Sequence, residues 1–177
     1  MNGRRHVTPE KGGIAIASAA DTSFESLEVG RELVGPRLTI TDSHVMLACG
    51  LFNDFAPLHA DDVYARASRY GSRIAHGPLI VGIMSGVLGS TIGPYALGLL
   101  EQNVRFSAPV RVGETVEVRW TIRSKQEKPK LGGGIVHLDG TCRTSDGTVA
   151  VSATAVMIVG YEISGQVPSA EQTSELK

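Results

Sequence analysis

The sequence predicts a single α+β domain, in which an antiparallel sheet covers one apolar helix. The helix is predicted over residues 78–90, where no side chain is charged. The last third of the chain instead alternates apolar and polar residues, which is typical of long strands with one wet face. Because the apolar strand face needs a cover and this helix is the best candidate, both are expected to share one core.

Length and charge limit the possible functions. A chain of 177 residues fits one domain, predicted over residues 23–161, with mobile tails at 1–22 and 162–177. Seventeen basic and eighteen acidic side chains leave a formal charge of -1. No overall field therefore attracts nucleic acid or an anionic membrane, and neither is an expected partner.

The two cysteines indicate a compartment rather than a site. Cys49 and Cys142 have neither metal-ligand spacing nor the density of a disulfide scaffold, so we interpret them as buried free thiols in a reducing environment. Residues 1–13 lack the apolar run of a signal peptide. The expected location is the cytoplasm.

A membrane span is the alternative interpretation of residues 77–100, which carry no charge and are long enough to cross a bilayer. Pro94 would break such a helix, and six glycines interrupt the segment. We interpret it as an enclosed helix, then a turn and a strand, because a helix apolar nearly all round is normally surrounded by protein.

Short helices are predicted before this segment. An extended piece over residues 24–40 leads to Thr41-Asp42-Ser43, which offers a helix N-cap before apolar residues at helical spacing. Asp61 is predicted to cap a second helix that ends at Gly71, and Pro78 suits the first position of the third.

Several strands follow the third helix. In the first of them, Val104, Phe106 and Ala108 form the predicted apolar face. Asp146-Gly147 is a strong hairpin signal between strands at about 135–145 and 148–160. The clearest alternation gives a core face made of Val116, Val118, Trp120 and Ile122.

A carboxylate and an imidazole lie five residues apart, at Asp54 and His59, around Pro57. Pro57 restricts its own φ and disfavours helix at Ala56, so this bend can direct both side chains at one point. The pair can then hold a water, with each group accepting or returning a proton. A capping or surface role is the alternative for such a pair.

A second candidate is His76-Gly77-Pro78 at the start of the apolar helix. A helix N-terminus has free amide donors and a partial positive charge, so the Gly77 N–H can stabilise an oxyanion. The alternative is a turn that only begins a helix. His76 is interpreted as structural, with its ring bonded to a backbone carbonyl near the helix start.

These motifs together resemble a known family. Residues 54–61 read D-F-A-P-L-H-A-D, and Y-A at 64–65 and I-A-H-G at 74–77 follow. The MaoC-like dehydratases and (R)-specific enoyl-CoA hydratases have D-x-N-P-x-H-x-D, then Y-A, then a hydrophobic pair before H-G. The strand at 103–110 and the turn at 112–114 match as well, and the similarity covers roughly residues 25–160.

The resemblance implies a hot-dog fold, at least a homodimer, and hydration of a 2-enoyl thioester carried by CoA or acyl carrier protein, without cofactor or metal. Asp54 and His59 would hold the catalytic water, the Gly77 amide would bind the oxyanion, and Ser85 on the central helix would support the aspartate. Substrate contacts are also predicted for Pro57, His76 and Pro78.

Three positions depart from the family pattern. Ala56 replaces an asparagine that helps to order the loop, Pro78 removes an N–H, and Asn53 stands where glycine is common. None of them removes an acid/base group.

Two other functions remain open: a hot-dog thioesterase, or a non-catalytic subunit of a heteromeric dehydratase. Lys125, Lys128 and Lys130 could meet the phosphates of CoA, although a solvated hairpin tip is the preferred interpretation.

Overall fold

The computed structural model describes residues 22–163, so the predicted tails fall almost entirely outside the described part of the chain. Helices and strands follow the predicted order, with short helices first and a run of long strands last. Single 3-10 turns lie at Gly93–Tyr95 and Pro129–Leu131. The elements are β1 (Glu32–Val34), β2 (Leu38–Thr39), α1 (Asp42–Phe52), α2 (Pro57–Ala60), α3 (Asp62–Ala67), α4 (Gly77–Ile92), β3 (Ala96–Phe106), β4 (Thr115–Lys128), β5 (Gly133–Thr144) and β6 (Val149–Gly160).

All six strands form one antiparallel sheet, in the order β1-β4-β5-β6-β3, with β2 also paired to β4. The predicted hairpin is confirmed, because Gly147 turns between β5 and β6 with φ +90°. β3 pairs with β6 on one side only, which leaves the other edge of β3 open among the described residues.

The core lies between α4 and this sheet. Ile80, Met84, Leu88 and Ile92 recur every four residues along α4 and are all buried. The predicted core face of β4 is confirmed, and the fully buried Trp120 donates its indole N–H to the Met84 carbonyl at 3.0 Å. This bond joins the middle of the helix to the middle of the sheet.

The prediction that α4 is enclosed all round is wrong for a single chain. Its side away from the sheet carries Gly82, Gly86, Gly89 and Ser90, and all four are exposed. One sheet can cover only one side of a helix, so the other side stays open. The helix is long and apolar enough to cross a bilayer, yet the side that carries the buried residues Ile80, Met84, Leu88 and Ile92 is packed on the sheet.

Phe106 also departs from the prediction. It was expected on the apolar inner face of its strand, but 53% of it is exposed. At this end β3 runs past the start of α4, and a Cβ placed on Gly77 would lie 2.9 Å from Phe106 Cζ. The ring therefore lies against the first residue of α4 and outside the core.

The caps before α4 mostly match the prediction. Thr41 caps α1, and its N–H donates to His44 Nδ1 at 3.0 Å, so His44 completes a capping box. Asp61 Oδ1 accepts from the amides of Val63 and Tyr64 in the first turn of α3, so it caps this helix as predicted. However, α3 ends at Ala67 and Gly71 lies in the turn beyond it with φ +72°.

Both cysteines are unpaired and fully buried, which confirms the interpretation as free thiols. Burial disfavours the thiolate and raises the pKa of Cys142 to about 11. The Cys142 thiol is therefore protonated at neutral pH and inert.

The contact between Gly140 and Trp120 gives a stability prediction. A Cβ on Gly140 would lie 2.5 Å from Trp120 Cε3, and the indole cannot retreat because it is buried beneath α4. We expect Gly140→Ala to lower the free energy of unfolding by about 1–3 kcal/mol, measured by urea denaturation.

The matched control is Gly50→Ala on exposed α1, where an added Cβ meets nothing within 4 Å. That change should stabilise the protein by up to about 1 kcal/mol, because alanine favours helix. Equal effects of the two substitutions would contradict the packing described for Trp120.

Candidate active site

The candidate site begins where α1 ends. Asn53 is in the left-handed conformation with φ 52°, the one residue other than glycine with positive φ in the described part of the chain. Asparagine tolerates this conformation better than most residues, so it can replace the glycine that is common here. The amide of Asp54 then donates to the Cys49 carbonyl at 3.1 Å, which turns the chain sharply away from the helix.

The Asp54 carboxylate is held by one of its two oxygens. Oδ1 accepts from the Ala56 amide at 3.1 Å, a local turn closed by the aspartate side chain. The backbone of Ala56 therefore tethers Asp54 although the family's asparagine side chain is missing. Oδ2 accepts no hydrogen bond from residues 22–163 and faces His59.

His59 is held by one ring nitrogen in the same way. It lies in α2, the short turn that Pro57 begins, and its Nδ1 lies 2.8 Å from the Ile74 carbonyl oxygen. A carbonyl only accepts hydrogen bonds, so Nδ1 is the donor, and in the neutral imidazole Nε2 therefore has the lone pair. The ring is mostly buried, with 14% of the side chain exposed.

The two free atoms, Asp54 Oδ2 and His59 Nε2, are 3.9 Å apart. This distance is too long for a direct hydrogen bond but lets one water bond to both at about 2.8 Å. The carboxylate is 47% exposed, so solvent reaches the pair. The arrangement can bind one water and exchange its protons with two groups.

His76 contacts both residues of this pair. Its Nε2 lies 3.0 Å from the backbone oxygen of Asp54, and its ring stacks on His59 with centroids 3.8 Å apart. The predicted bond to a backbone carbonyl therefore exists, but the carbonyl belongs to the bend between Asp54 and His59 rather than to the helix start. With Nε2 as donor, Nδ1 is buried and has no partner among the described residues.

Gly77 supplies an amide beside the same space. It is the first residue of α4, where an N–H has no partner inside the helix, and Pro78 next to it has no N–H at all. The amide of Gly77 is therefore the first available donor at this helix N-terminus, where the helix dipole favours negative charge.

A cavity of about 570 Å³ contains His59 and Gly77 in its wall. The buried residues of its lining are apolar, which suits an acyl chain. The exposed residues of the lining include Arg69, a cation that was not predicted as a site residue from the sequence. The lining residues are His59, Arg69, Tyr70, Ile74, Ala75, Gly77, Ile80, Phe106, Ser107, Ala108, Pro109, Val110 and Val151.

The structure does not bring every predicted site residue to this cavity. Asp54 is not in its lining and lies next to it only through the 3.9 Å gap to His59. Pro57, His76 and Pro78 are also outside the lining, and His76 is only 1% exposed, so their contacts with substrate stay predictions. Ser85 Oγ lies 2.9 Å from the Val81 carbonyl and 2.5 Å from Gln102 Oε1, with no bond to Asp54 in the described chain. Its support of Asp54 also stays a prediction.

Asp54, His59 and His76 offer ligand atoms within 4.8 Å of one another, a spacing that raises the question of a metal. The two rings are nearly parallel, at 25°, so their in-plane lone pairs do not converge on one point. His76 Nε2 is also engaged by the Asp54 carbonyl. The geometry therefore suits a shared water better than a metal ion.

Arg73 fastens the helices around the site. Its guanidinium pairs with Asp62 at 2.8 Å and with Asp42, and it donates to the His59 carbonyl at 3.4 Å. The hydrogen bonds that Arg73 donates to Asp62 and to Asp42 raise its pKa above the ordinary value, so the charge persists. One cation thus joins α1, α2 and α3.

Comparisons with known proteins identify the family of this chain. Residues 25–141 match the model of the MaoC like domain. An (R)-specific enoyl-CoA hydratase from Rhodospirillum rubrum is 34% identical over 77% of this chain and 90% of its own length. Another from Aeromonas caviae is 31% identical over 76% of this chain and 97% of its own.

A solved structure supports the same conclusion. The (R)-hydratase from A. caviae involved in PHA biosynthesis superposes with a TM-score of 0.69 at 31% identity, covering 76% of this chain and 98% of the other. The chain belongs to the MaoC-like family and has its hot-dog fold, which confirms the resemblance predicted from the motifs.

The role assigned to His76 gives a testable prediction. His76→Phe keeps a ring against His59 but removes the donor to the Asp54 carbonyl. We expect a loss of about 1 kcal/mol in the free energy of unfolding and faster amide hydrogen exchange in residues 53–59.

His137→Phe is the control, because His137 is half-buried on β5 and its ring makes no hydrogen bond within residues 22–163. Its effect should stay within about 0.5 kcal/mol. If exchange in the bend were the same in both variants, His76 would have no positioning role.

Proposed function

We propose that the protein is a hydro-lyase that reversibly hydrates a 2-enoyl thioester to the 3-hydroxyacyl thioester. The observation that carries this proposal is the water-sized gap between Asp54 Oδ2 and His59 Nε2, beside a cavity lined by His59 and Gly77. The (R)-specific hydratases to which the chain is similar support the thioester substrate and an (R)-configured product.

The reaction follows from these groups. The thioester oxygen lies against the Gly77 N–H, which stabilises negative charge as it develops there. The water held by Asp54 and His59 attacks the β-carbon, one of the two groups takes its proton, and the electron pair of the double bond moves toward the thioester oxygen. A proton then returns to the α-carbon. The reverse steps remove water.

The acid/base roles predict the effect of two substitutions. Asp54→Asn and His59→Ala should each lower turnover of crotonyl-CoA by at least ~100-fold, because each removes one acid/base group. Hydration is measured as loss of the enoyl absorbance, and circular dichroism checks that each variant is folded. Near-normal turnover in either folded variant rejects the assignment.

Asp139→Asn and His137→Ala are the matched controls, because both residues lie on β5 away from the cavity. Each should retain wild-type turnover. Incubation with saturated butyryl-CoA separates the thioesterase alternative, since a hydratase leaves this substrate intact while a thioesterase releases free CoA.

We propose that two copies of the chain form a homodimer through β3 and the open side of α4. Leu97, Leu99 and Leu100 on β3 are 41–56% exposed, and the outer edge of this strand has no partner in the described chain. Exposed apolar strand edges promote association. The exposed glycines of α4 would let a second copy approach closely.

A cytoplasmic location stays a prediction, supported by the two free thiols.

The dimer is tested by light scattering after size exclusion. The mass should be twice the 18.7 kDa of one chain, and Leu99→Lys should lower it because a charge on this edge opposes pairing. Val29→Lys is the control, because Val29 is 62% exposed and lies outside β3 and α4. A wild-type mass of one chain, or an unchanged mass for Leu99→Lys, contradicts this interface.

A further inference from the structure

We infer that Arg69 binds a phosphate of the thioester carrier at the solvent side of the cavity. This inference rests on the proposed function, because it assigns one end of the same substrate. Arg69 lines the cavity together with His59 and Gly77. It is the one permanently charged side chain in that lining.

Arg69 differs from the arginines around it. Arg66 pairs with Asp62 at 3.9 Å, Arg73 with Asp42 and Asp62, and Arg111 with Glu114 at 3.2 Å. Arg69 has no carboxylate within 4.0 Å in the described part of the chain. Its charge is thus available to a ligand, whereas its neighbours already have anionic partners.

The Arg69 guanidinium is also held in place. Nη2 donates to the Tyr70 hydroxyl at 2.6 Å, and the guanidinium carbon lies 4.8 Å from the centroid of that ring. Tyr70 itself lines the cavity and is half-buried. A planar cation restrained in this way needs less ordering when it binds a phosphate with two parallel hydrogen bonds.

The distribution of polarity in the lining determines which part of the substrate meets Arg69. Ile80, Val110 and Val151 are buried and form an apolar wall, which suits the acyl chain. Arg69 is exposed, so it marks the side that opens to water. The charged carrier stays at the wet side, and phosphate is the anion common to CoA and to the phosphopantetheine arm of acyl carrier protein.

The hairpin lysines, considered as phosphate ligands from the sequence, lie elsewhere. Lys125 Nζ donates to the backbone oxygens of Phe24 and Glu25, and none of the three lysines is in the cavity lining.

The test compares Arg69→Met with wild type on three substrates. Crotonyl-CoA carries the phosphate of the pantetheine arm and the phosphates of the nucleotide. Crotonyl-4′-phosphopantetheine carries only the phosphate of the arm, and crotonyl-pantetheine carries no phosphate. We expect KM for crotonyl-CoA to rise at least about fivefold with kcat nearly unchanged. KM for crotonyl-pantetheine should be the same in both proteins. A rise with crotonyl-4′-phosphopantetheine identifies the phosphate of the arm, and a rise with crotonyl-CoA alone identifies the nucleotide phosphates.

Arg66→Met is the control for long-range attraction, since it removes the same charge from an exposed residue on α3 that is already paired. It should leave all three KM values unchanged. An unchanged KM for crotonyl-CoA in Arg69→Met, or an equal rise with crotonyl-pantetheine, overturns the inference.

Binding of free CoA by titration calorimetry separates this inference from the proposed function. Wild type should bind CoA at least about fivefold more tightly than Arg69→Met. If wild type binds CoA in this way but does not hydrate crotonyl-CoA, the phosphate site stands and the proposed reaction fails. If turnover is present but the two proteins bind CoA equally, the phosphate site fails and the reaction stands.

Discussion

The 3.9 Å separation of Asp54 Oδ2 and His59 Nε2 depends on hydrogen bonds to the backbone. Asp54 is tethered at Oδ1 by the amide of Ala56, and His59 at Nδ1 by the carbonyl of Ile74. Each side chain thus has one polar atom held by the backbone, Oδ1 or Nδ1, while its second polar atom, Oδ2 or Nε2, faces the other side chain. A third bond, from His76 to the Asp54 carbonyl, fixes the backbone of the bend relative to the start of α4. Such preorganisation is what positioned acid/base groups require.

The rest of the fold serves this arrangement by fixing α4. Trp120 links the helix to β4 through its indole N–H, and buried residues along one side of α4 anchor it on the sheet. The same helix places His76 and Gly77 at its start, beside the bend. Arg73 holds the preceding helices in the same region through two carboxylates. A shift of α4 would therefore move both the Gly77 amide and the His76 ring that bonds the Asp54 carbonyl.

Local patterns in the sequence predicted most of this architecture. The alternation around Trp120 and the charge-free run after Gly77 are patterns that burial imposes on a sequence, so they predicted the core. The motif from Asp54 to His59 predicted the pair of side chains. Arg69 was missed because an arginine in a turn resembles any solvated charge until its neighbours are seen to be paired. Phe106 and the open side of α4 were mispredicted because periodicity identifies an apolar face but not the element that covers it.

A crystal structure at a resolution that shows ordered solvent tests most directly whether Asp54 and His59 share a water. We predict a single water within hydrogen-bond distance of both Asp54 Oδ2 and His59 Nε2, and within reach of the cavity. A direct bond between the two side chains, or rings and carboxylate turned toward different regions, would contradict it.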